Sequence, residues 1–446
     1  MAVAVANVRG PNGELLYRVT GVDRNTPQGL ERVQALSRGK FPFTTTDTTL
    51  HQALSLAHSC GNLSATTDES VYATADVVVV DVALDIPFLA EKPQLDLVGL
   101  EKSVTSIAEK IPNGGLVLIE TTVPPGTCEN VLAPILRKEA QRRGLAQNSI
   151  HLAHSFERVM PGEAYLESIT HFWRVYAGHT SEAANVCEEF LSSIVDIKHY
   201  PLTRLSSMTA SETAKVMENT YRAANIAFID EWTKYAEAVG IDLYEVIDAI
   251  QMRPTHANIR FPGLGVGGYC LTKDPAFAPL AAHQLFSHDH LEFPFSRLAM
   301  QVNRAMPEHA VSRLESLLNN GYRGKRVLVL GVSYRQNVGD TRYSPVETFV
   351  RALEICGAQV TGFDPFVDYW PEMSRSIAST LPEAKHFDAV VIATPHREFF
   401  DLEIIEWFNE ARPLLLDTAN VLSKEQRQRC RKVGIRVESL GRGDSL

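Results

Sequence analysis

The chain has 446 residues, 45% hydrophobic and 22% charged, with a formal charge of −10. This is the composition of a globular protein of two or three domains, and the acidic balance argues against a nucleic-acid-binding surface. No apolar run reaches membrane-spanning length. The six cysteines, at 60, 128, 187, 270, 356 and 430, form no C-x-x-C pair and no metal-ligand spacing, which implies a reducing, cytoplasmic setting and no bound metal.

Residues 1–8 are apolar without the basic lead of a signal peptide and read as the end of a buried helix. Residues 15–22, 76–80 and 115–119 are apolar, β-branched runs bounded by turn residues; 325–330, 359–363, 389–393 and 413–417 repeat the pattern. Continuous runs of this kind suit parallel strands covered on both faces, so the sequence predicts an α/β unit at each end. Between them, Thr209 to Glu212 has the form of a capping box. Ala214, Met217, Tyr221, Ala224 and Phe228 then recur at helical spacing, and Gly240 punctuates the end. A helix of this length suggests a spine shared by both α/β units, with a dimer partner as a further candidate.

Gly263-Leu-Gly-Val-Gly-Gly268 is followed by Tyr269, Cys270, Lys273 and Asp274. It satisfies G-x-G-x-x-G, yet neither flank supplies the strand and helix that a dinucleotide turn requires, and Tyr269 stands where a Walker loop has lysine. Glycines let the backbone approach a ligand closely. A nearby cation lowers a thiol from about 8.5 and stabilises an oxyanion formed by its attack on a carbonyl. The stretch therefore reads as a catalytic loop.

Lys215 and Asn219 are four apart and share a helix face, which suits a substrate hydroxyl and a developing negative charge, or simply solvent. Thr122 lies just beyond the strand ending at Ile119, where open α/β sheets place ligands. Glu157 and Arg158 form either a base beside a phosphate contact or an exposed pair. Arg342 and Arg335 follow the first strand of the C-terminal unit as anion contacts. His283, His288 and His290 read as loop residues.

In order and spacing, Val22-Asp23, Glu120 to Thr127, Ser155 to Gly162, Glu212 to Asn219, the Cys270 loop and Gly339 to Pro345 resemble the nucleotide-sugar 6-dehydrogenases of the UDP-glucose/GDP-mannose dehydrogenase family. The resemblance implies two Rossmann-like parallel-sheet domains, 1–204 for NAD and 319–446 for the nucleotide sugar, joined by a helical, dimerising domain over 205–318. It implies oxidation of a primary alcohol to a carboxylate with two NAD per turnover. Cys270 resembles the nucleophile that carries a thiohemiacetal and then a thioester. Lys215 and Asn219 would stabilise the oxyanion, Thr122 and Asp274 would position water or take a proton, and Glu157 would assist hydrolysis. Asp23 resembles the acid on the adenosine ribose; Glu120, Thr122 and Lys273 fall on the cofactor side. Arg158, Arg260, Gly267, Arg335 and Arg342 fall on the substrate side, with Arg260 and Arg342 holding the diphosphate, in part across a homodimer or higher homo-oligomer.

Two departures stand out. Phe156 occupies a position where the family has proline, and the strand and glycine turn expected before Asp23 would lie upstream of Met1. A longer natural protein and a non-catalytic sugar-nucleotide-binding paralogue are the two expectations this raises. A two-electron β-hydroxyacid dehydrogenase would share the Lys–Asn pair but would not need Cys270. The motif forms resemble members acting on UDP-N-acetylhexosamines, whereas Lys273-Asp274 is nearer the UDP-glucose branch.

Overall fold

The computed structural model describes residues 1–443 apart from 44, 46, 85–93, 160, 161, 163, 319 and 320. Met160 and Pro161 of the Glu157–Gly162 motif thus lie outside the described residues. The chain forms two compact units, Met1–Glu218 with Ala276–Glu292, and Asn219–Pro275 with Phe293–Leu446.

In the first unit, strand β1 (Val19–Val22) pairs in parallel with β2 (Leu63–Thr66) as a separate two-stranded sheet. A five-stranded sheet contains β3 (Val77–Val80), β4 (Leu116–Ile119), β5 (His151–His154), β6 (Val175–Gly178) and β7 (Thr203–Arg204), in that order. Its pairs are parallel except β5 with β6. All four β4 residues are buried, and alternate ones face opposite cores. Val117 and Ile119 pack with Leu100, Val104 and Leu136; Leu116 and Leu118 pack with Cys187, Phe190 and Leu191. This period-2 division explains why the strand reads as an unbroken apolar run. Ala2–Ala6 is a helix with Val3 to Ala6 buried, as its apolar sequence suggests. The expected strand over 15–22 is shorter, because Leu15 makes only an isolated bridge to Arg9.

In the second unit, β8 (Arg326–Leu330), β9 (Gln359–Phe363), β12 (Ala389–Ile392), β13 (Leu414–Asp417) and β14 (Val437–Ser439) form an all-parallel sheet of order β14-β13-β12-β8-β9. A small antiparallel pair, β10 (Tyr369–Trp370) and β11 (Arg375–Ser376), lies between β9 and β12 in the chain. Val327 and Val329 join the core containing Leu314, Phe349, Val350 and Trp370, whereas Leu328 and Leu330 join Phe399, Phe408 and Cys430.

The long helix spans Met208–Val239 and passes unbroken through the 218/219 division. Its start differs from the expected capping box. Ser207 is the cap, accepting from the amide of Ala210 at 3.1 Å, and Glu212 is engaged elsewhere. The apolar stripe also differs in its setting: Met217, Tyr221 and Phe228 are 67%, 53% and 51% exposed, while Ser211, Glu212, Lys215 and Asn219 are buried.

His154, which ends β5, is fully buried, and its Nδ1 lies 2.8 Å from Ser211 Oγ. Burial, then repulsion from Lys215, lowers the imidazole from 6.5 to about 3. It therefore stays neutral while the unfolded chain takes up a proton between those values, so the native state loses stability as pH falls from 6.5. Each pH unit in that window costs up to about 1.4 kcal/mol. Replacing His154 with Asn is expected to flatten the decline of the urea midpoint between pH 6.5 and 4, whatever its effect at neutral pH; parallel slopes would show that this histidine does not set the acid limb.

Candidate active site

In the first unit the carboxyl end of β4 opens into a loop built by buried charges. Glu120 pairs with Arg174, both about 3% exposed, so this carboxylate, expected on the cofactor side, is committed to a guanidinium inside the fold. Thr121 Oγ1 donates to the carbonyls of Val80 and Val82 at 3.2 and 2.9 Å, tying the loop back to β3. Thr122 follows, half-buried.

Glu212, on the long helix, receives the amides of Gly126 at 2.5 Å and Cys128 at 2.8 Å. It thus caps the helical turn that starts at Cys128, where unsatisfied N–H groups favour a carboxylate. Burial nevertheless raises its carboxyl to about 7, against the lowering effect of those bonds. Neighbouring on the same helix, Lys215 is buried and donates to the carbonyl oxygen of Glu157 at 2.8 Å. Its ammonium lies 5.4 Å from the ring centre of buried Phe156, and the Arg158 guanidinium lies 5.0 Å from the same ring. Arg158 also binds Glu218 at 2.9 Å and the Trp173 carbonyl at 2.5 Å. Glu157 is half-buried and accepts from the amide of Val159. The structure thus brings Lys215, Glu157 and Arg158 together around Phe156. Sequence reasoning noted this residue only as a departure.

Asp23 lies directly after β1. Its carboxylate is about a quarter exposed and meets Arg32 at 3.2 Å and the amide of Arg24 at 2.7 Å.

In the second unit the Cys270 loop is anchored from below. Asp274 is fully buried; one oxygen accepts from Asn219 Nδ2 at 2.6 Å and the other from Lys273 Nζ at 2.7 Å. The amides of Lys273 and Asp274 both donate to the Cys270 carbonyl, at 3.2 and 2.9 Å. Lys273 is buried too, with its ammonium 4.5 Å from the ring centre of Tyr269. The ammonium pairs with Asp274. Cys270 itself is exposed and is not in a disulfide.

The glycines are required by close packing. A Cβ on Gly267 would meet the Tyr334 and Pro345 side chains at 2.7 and 2.8 Å. Gly268, at φ +85°, has the Tyr334 ring at 2.8 Å from the same position. These two residues lay the loop directly on the segment that follows β8. That segment is fixed by a network the sequence did not reveal. Asp364, at the end of β9, accepts from the amides of Val332 and Ser333 and from Ser333 Oγ, at 2.8 to 3.0 Å. His396 completes it, taking the Asn337 amide at 2.9 Å. The readable sign was a lone Asp-Pro after an apolar strand.

Arg335 is half-buried, Arg260 and Arg342 are exposed, and Arg342 makes a bidentate pair with Asp340 at 2.9 and 2.7 Å. That pairing raises its already high pKa, so the guanidinium keeps its charge while two of its donors are in use.

Models of the UDP-glucose/GDP-mannose dehydrogenase family match three consecutive segments: the NAD binding domain over residues 13–195, the central domain over 209–305 and the UDP binding domain over 328–424. The UDP-N-acetyl-D-mannosamine dehydrogenase of Methanocaldococcus jannaschii is 31% identical over 96% of this chain and 92% of its own. The UDP-N-acetyl-D-glucosamine 6-dehydrogenase of Pseudomonas aeruginosa is 30% identical, over 75% and 78%. The solved structure of UDP-D-ManNAc dehydrogenase from Pyrococcus horikoshii superposes with a TM-score of 0.81 at 28% identity, covering 99% of this chain and 96% of that one. With the buried Lys–Asn helix, the glycine loop and the exposed cysteine in the family's order along nearly its whole length, the chain belongs to the UDP-glucose/GDP-mannose dehydrogenase family.

Proposed function

We propose that this protein oxidises the primary alcohol of a UDP-sugar to the carboxylate in two two-electron steps, with NAD as acceptor and Cys270 as the covalent carrier. The observation that carries the reading is an exposed thiol on a glycine loop whose next turn is locked by buried Asp274. The family, with its NAD binding and UDP binding segments, supplies the reaction class and the cofactor.

The residues fit that cofactor: Asp23 ends a parallel strand with a partly exposed carboxylate, which suits a ribose diol. When bound, NAD supplies the acceptor for one hydride in each step. The protein's own part begins with the alcohol, whose proton must leave as the aldehyde forms. Cys270 sulfur then adds to the carbonyl carbon as a thiohemiacetal, which keeps a reactive aldehyde from diffusing away. A second oxidation gives a thioester; water attacks it, the carboxylate departs and the thiol is restored. Lys215 and Asn219 supply N–H donors to the oxyanion that recurs at each stage. Asp274 acts through Asn219, whose amide it orients. Glu157 and Thr122 accept a proton from, or orient, the attacking water, and Arg158, Arg260, Gly267, Arg335 and Arg342 bind the nucleotide sugar.

A UDP-N-acetylhexosamine is the substrate we favour, supported by the similarity to dehydrogenases of UDP-N-acetyl-D-mannosamine and UDP-N-acetyl-D-glucosamine. Lys273 was the reason to consider UDP-glucose; its ammonium pairs with Asp274, so it speaks to loop packing more than to the sugar. A functional division at 204/205 and 318/319 is supported by the three matched segments. A cytoplasmic location is supported by six cysteines, none in a disulfide; among the described residues no helix is long and apolar enough to cross a membrane.

A homo-oligomer is supported by the outward face of the long helix, where Met217, Tyr221, Phe228, Trp232 and Tyr235 are each 45% exposed or more. Contiguous apolar surface of this kind marks an interaction site.

Replacing Cys270 with Ser is expected to cut acid formation from UDP-N-acetylmannosamine at least about 10³-fold with little change in UDP affinity; wild-type acid output would refute the covalent route. Phe156→Leu removes the ring shared by Lys215 and Arg158, an interaction of about 0.5–2 kcal/mol, and is expected to lower kcat several-fold with KM unchanged; an effect on KM alone would argue against positioning of Lys215. Light scattering is expected to give a multiple of 49.4 kDa for the native protein and the monomer for Trp232→Glu; a monomeric native protein would dispose of the oligomer.

A further inference from the structure

The carboxyl ends of three neighbouring strands, β9, β8 and β12, lead into Asp364, Ser333 and His396. All three residues are buried, and the reaction proposed above uses none of them. Open α/β sheets place ligands at this edge, so a buried polar cluster here can act on a ligand through the loop it holds.

The hydrogen bonds fix which ring nitrogen carries the proton. His396 Nδ1 lies 2.9 Å from the Asn337 amide nitrogen. That amide can only donate, so Nδ1 accepts and the ring N–H is on Nε2. Nε2 lies 3.0 Å from Ser333 Oγ and 3.1 Å from Asp364 Oδ2. Ser333 Oγ donates to the same Asp364 oxygen at 2.8 Å. A nucleophilic triad would put its serine and its carboxylate on opposite ring nitrogens. Here both meet Nε2, so the group is a clamp. It closes on residues 333–337 from both ends. At the first, Asp364 also accepts the amides of Val332 and Ser333. At the second, Asn337 has φ +56°, a left-handed conformation that a residue with a side chain keeps only where its surroundings hold it. Its amide goes to His396, and its Oδ1 accepts the amide of Arg397 at 3.0 Å. Tyr334 and Arg335 stand between the two held ends. Burial and the charge of Asp340 raise the Tyr334 phenol above its usual range; Arg335 opposes this, Cys270 adds to it and Arg342 opposes it. The thiol and both guanidiniums are therefore neighbours of one ring, and the clamp sets where that ring and Arg335 lie.

We propose that His396 is a positioning residue: through Asn337 and Ser333 it sets the register of residues 333–337 and so presents Arg335 to the anionic part of the substrate. This rests on the place given to Arg335 under the proposed function. The test is a double-mutant cycle of His396→Phe and Arg335→Ala in the full chain, read as UDP affinity by calorimetry. His396→Phe keeps a ring but offers the Asn337 amide no acceptor, whereas His396→Asn restores an acceptor where Nδ1 stands. Each of the two cycle variants is expected to weaken UDP at least about fivefold, and the double variant to add less than about twofold to the larger single loss. His396→Asn is expected to recover most of the affinity. Losses that multiply in the double variant, native affinity in His396→Phe, or an Asn variant as weak as the Phe variant would each overturn the role of His396. Native affinity in Arg335→Ala would instead take Arg335 off the substrate side, and the proposal would fall with that reading. Should His396→Phe not fold, Ser333→Ala, which removes only the hydroxyl link to Asp364, goes through the same cycle with the same non-additivity expected. The readout is binding, so the outcome does not depend on the Cys270 chemistry.

Discussion

The Asp274 carboxylate is the constraint around which the reactive loop is arranged. A fully buried charge without partners is expensive enough to prevent folding or force protonation. Here one oxygen takes Lys273 and the other takes Asn219. Neither partner can be removed cheaply, because each would leave the other charges or donors unmatched in a dry site. The two amides that fold back on the Cys270 carbonyl then leave the sulfur one turn above this anchor, at the surface. In the proposed route, where the sulfur adds to a carbonyl once and later leaves as water attacks, such rigidity is an advantage, since misplacement by an ångström is costly in rate.

The long helix buries polar residues as well as apolar ones, Val216, Ala223, Ala227, Ile229 and Ala236 among the latter. Its inward face carries Ser211, Glu212, Lys215 and Asn219, while its aromatic residues look outward. Each inward polar group has a specific partner: a histidine, two amides of a helix start, a carbonyl and a carboxylate. Burial of polar groups is tolerated where they are matched; Asn219 Oδ1 is buried without a partner among the described residues, while the bonds above hold the rest of the face. The outward residues Met217, Phe228 and Trp232 leave much apolar surface exposed, and the hydrophobic effect favours covering such surface. One helix thus carries partnered polar groups on its buried face and aromatic surface on its exposed one.

The strands legible in the sequence were those with a continuous apolar, β-branched run, such as Leu116–Ile119 and Ala389–Ile392; His151–His154 and Val437–Ser439 are as deeply buried, but polar residues interrupt them. Leu63–Thr66 and Thr203–Arg204 were not legible, because partly exposed strands carry no continuous apolar run. Helix position was legible, but not its facing: the stripe from Ala214 to Phe228 has the right period, and period alone does not say whether core or solvent lies beneath it. The Thr209–Glu212 spacing matched a capping box, yet Ser207 had equal claim as a cap and Glu212 found stronger donors at Gly126 and Cys128. In each case the choice was decided by long-range burial, which no local pattern encodes.

Phe156 shows how a departure from a family pattern can be absorbed locally. Proline would stiffen the segment before Glu157 by fixing its own φ and restricting the residue before it. Phenylalanine gives up that stiffness, but its buried ring sits between two cations, Lys215 and Arg158, at 5.4 and 5.0 Å. Both cations are themselves tethered, one to the Glu157 carbonyl and the other to Glu218 and the Trp173 carbonyl. The segment is then held by Lys215 and Glu218 of the long helix and by the Trp173 carbonyl. An ammonium resting on a ring face is also less free to leave for water than one held by a single carbonyl. The local stiffness lost with proline is thus replaced by a contact that acts directly on the lysine.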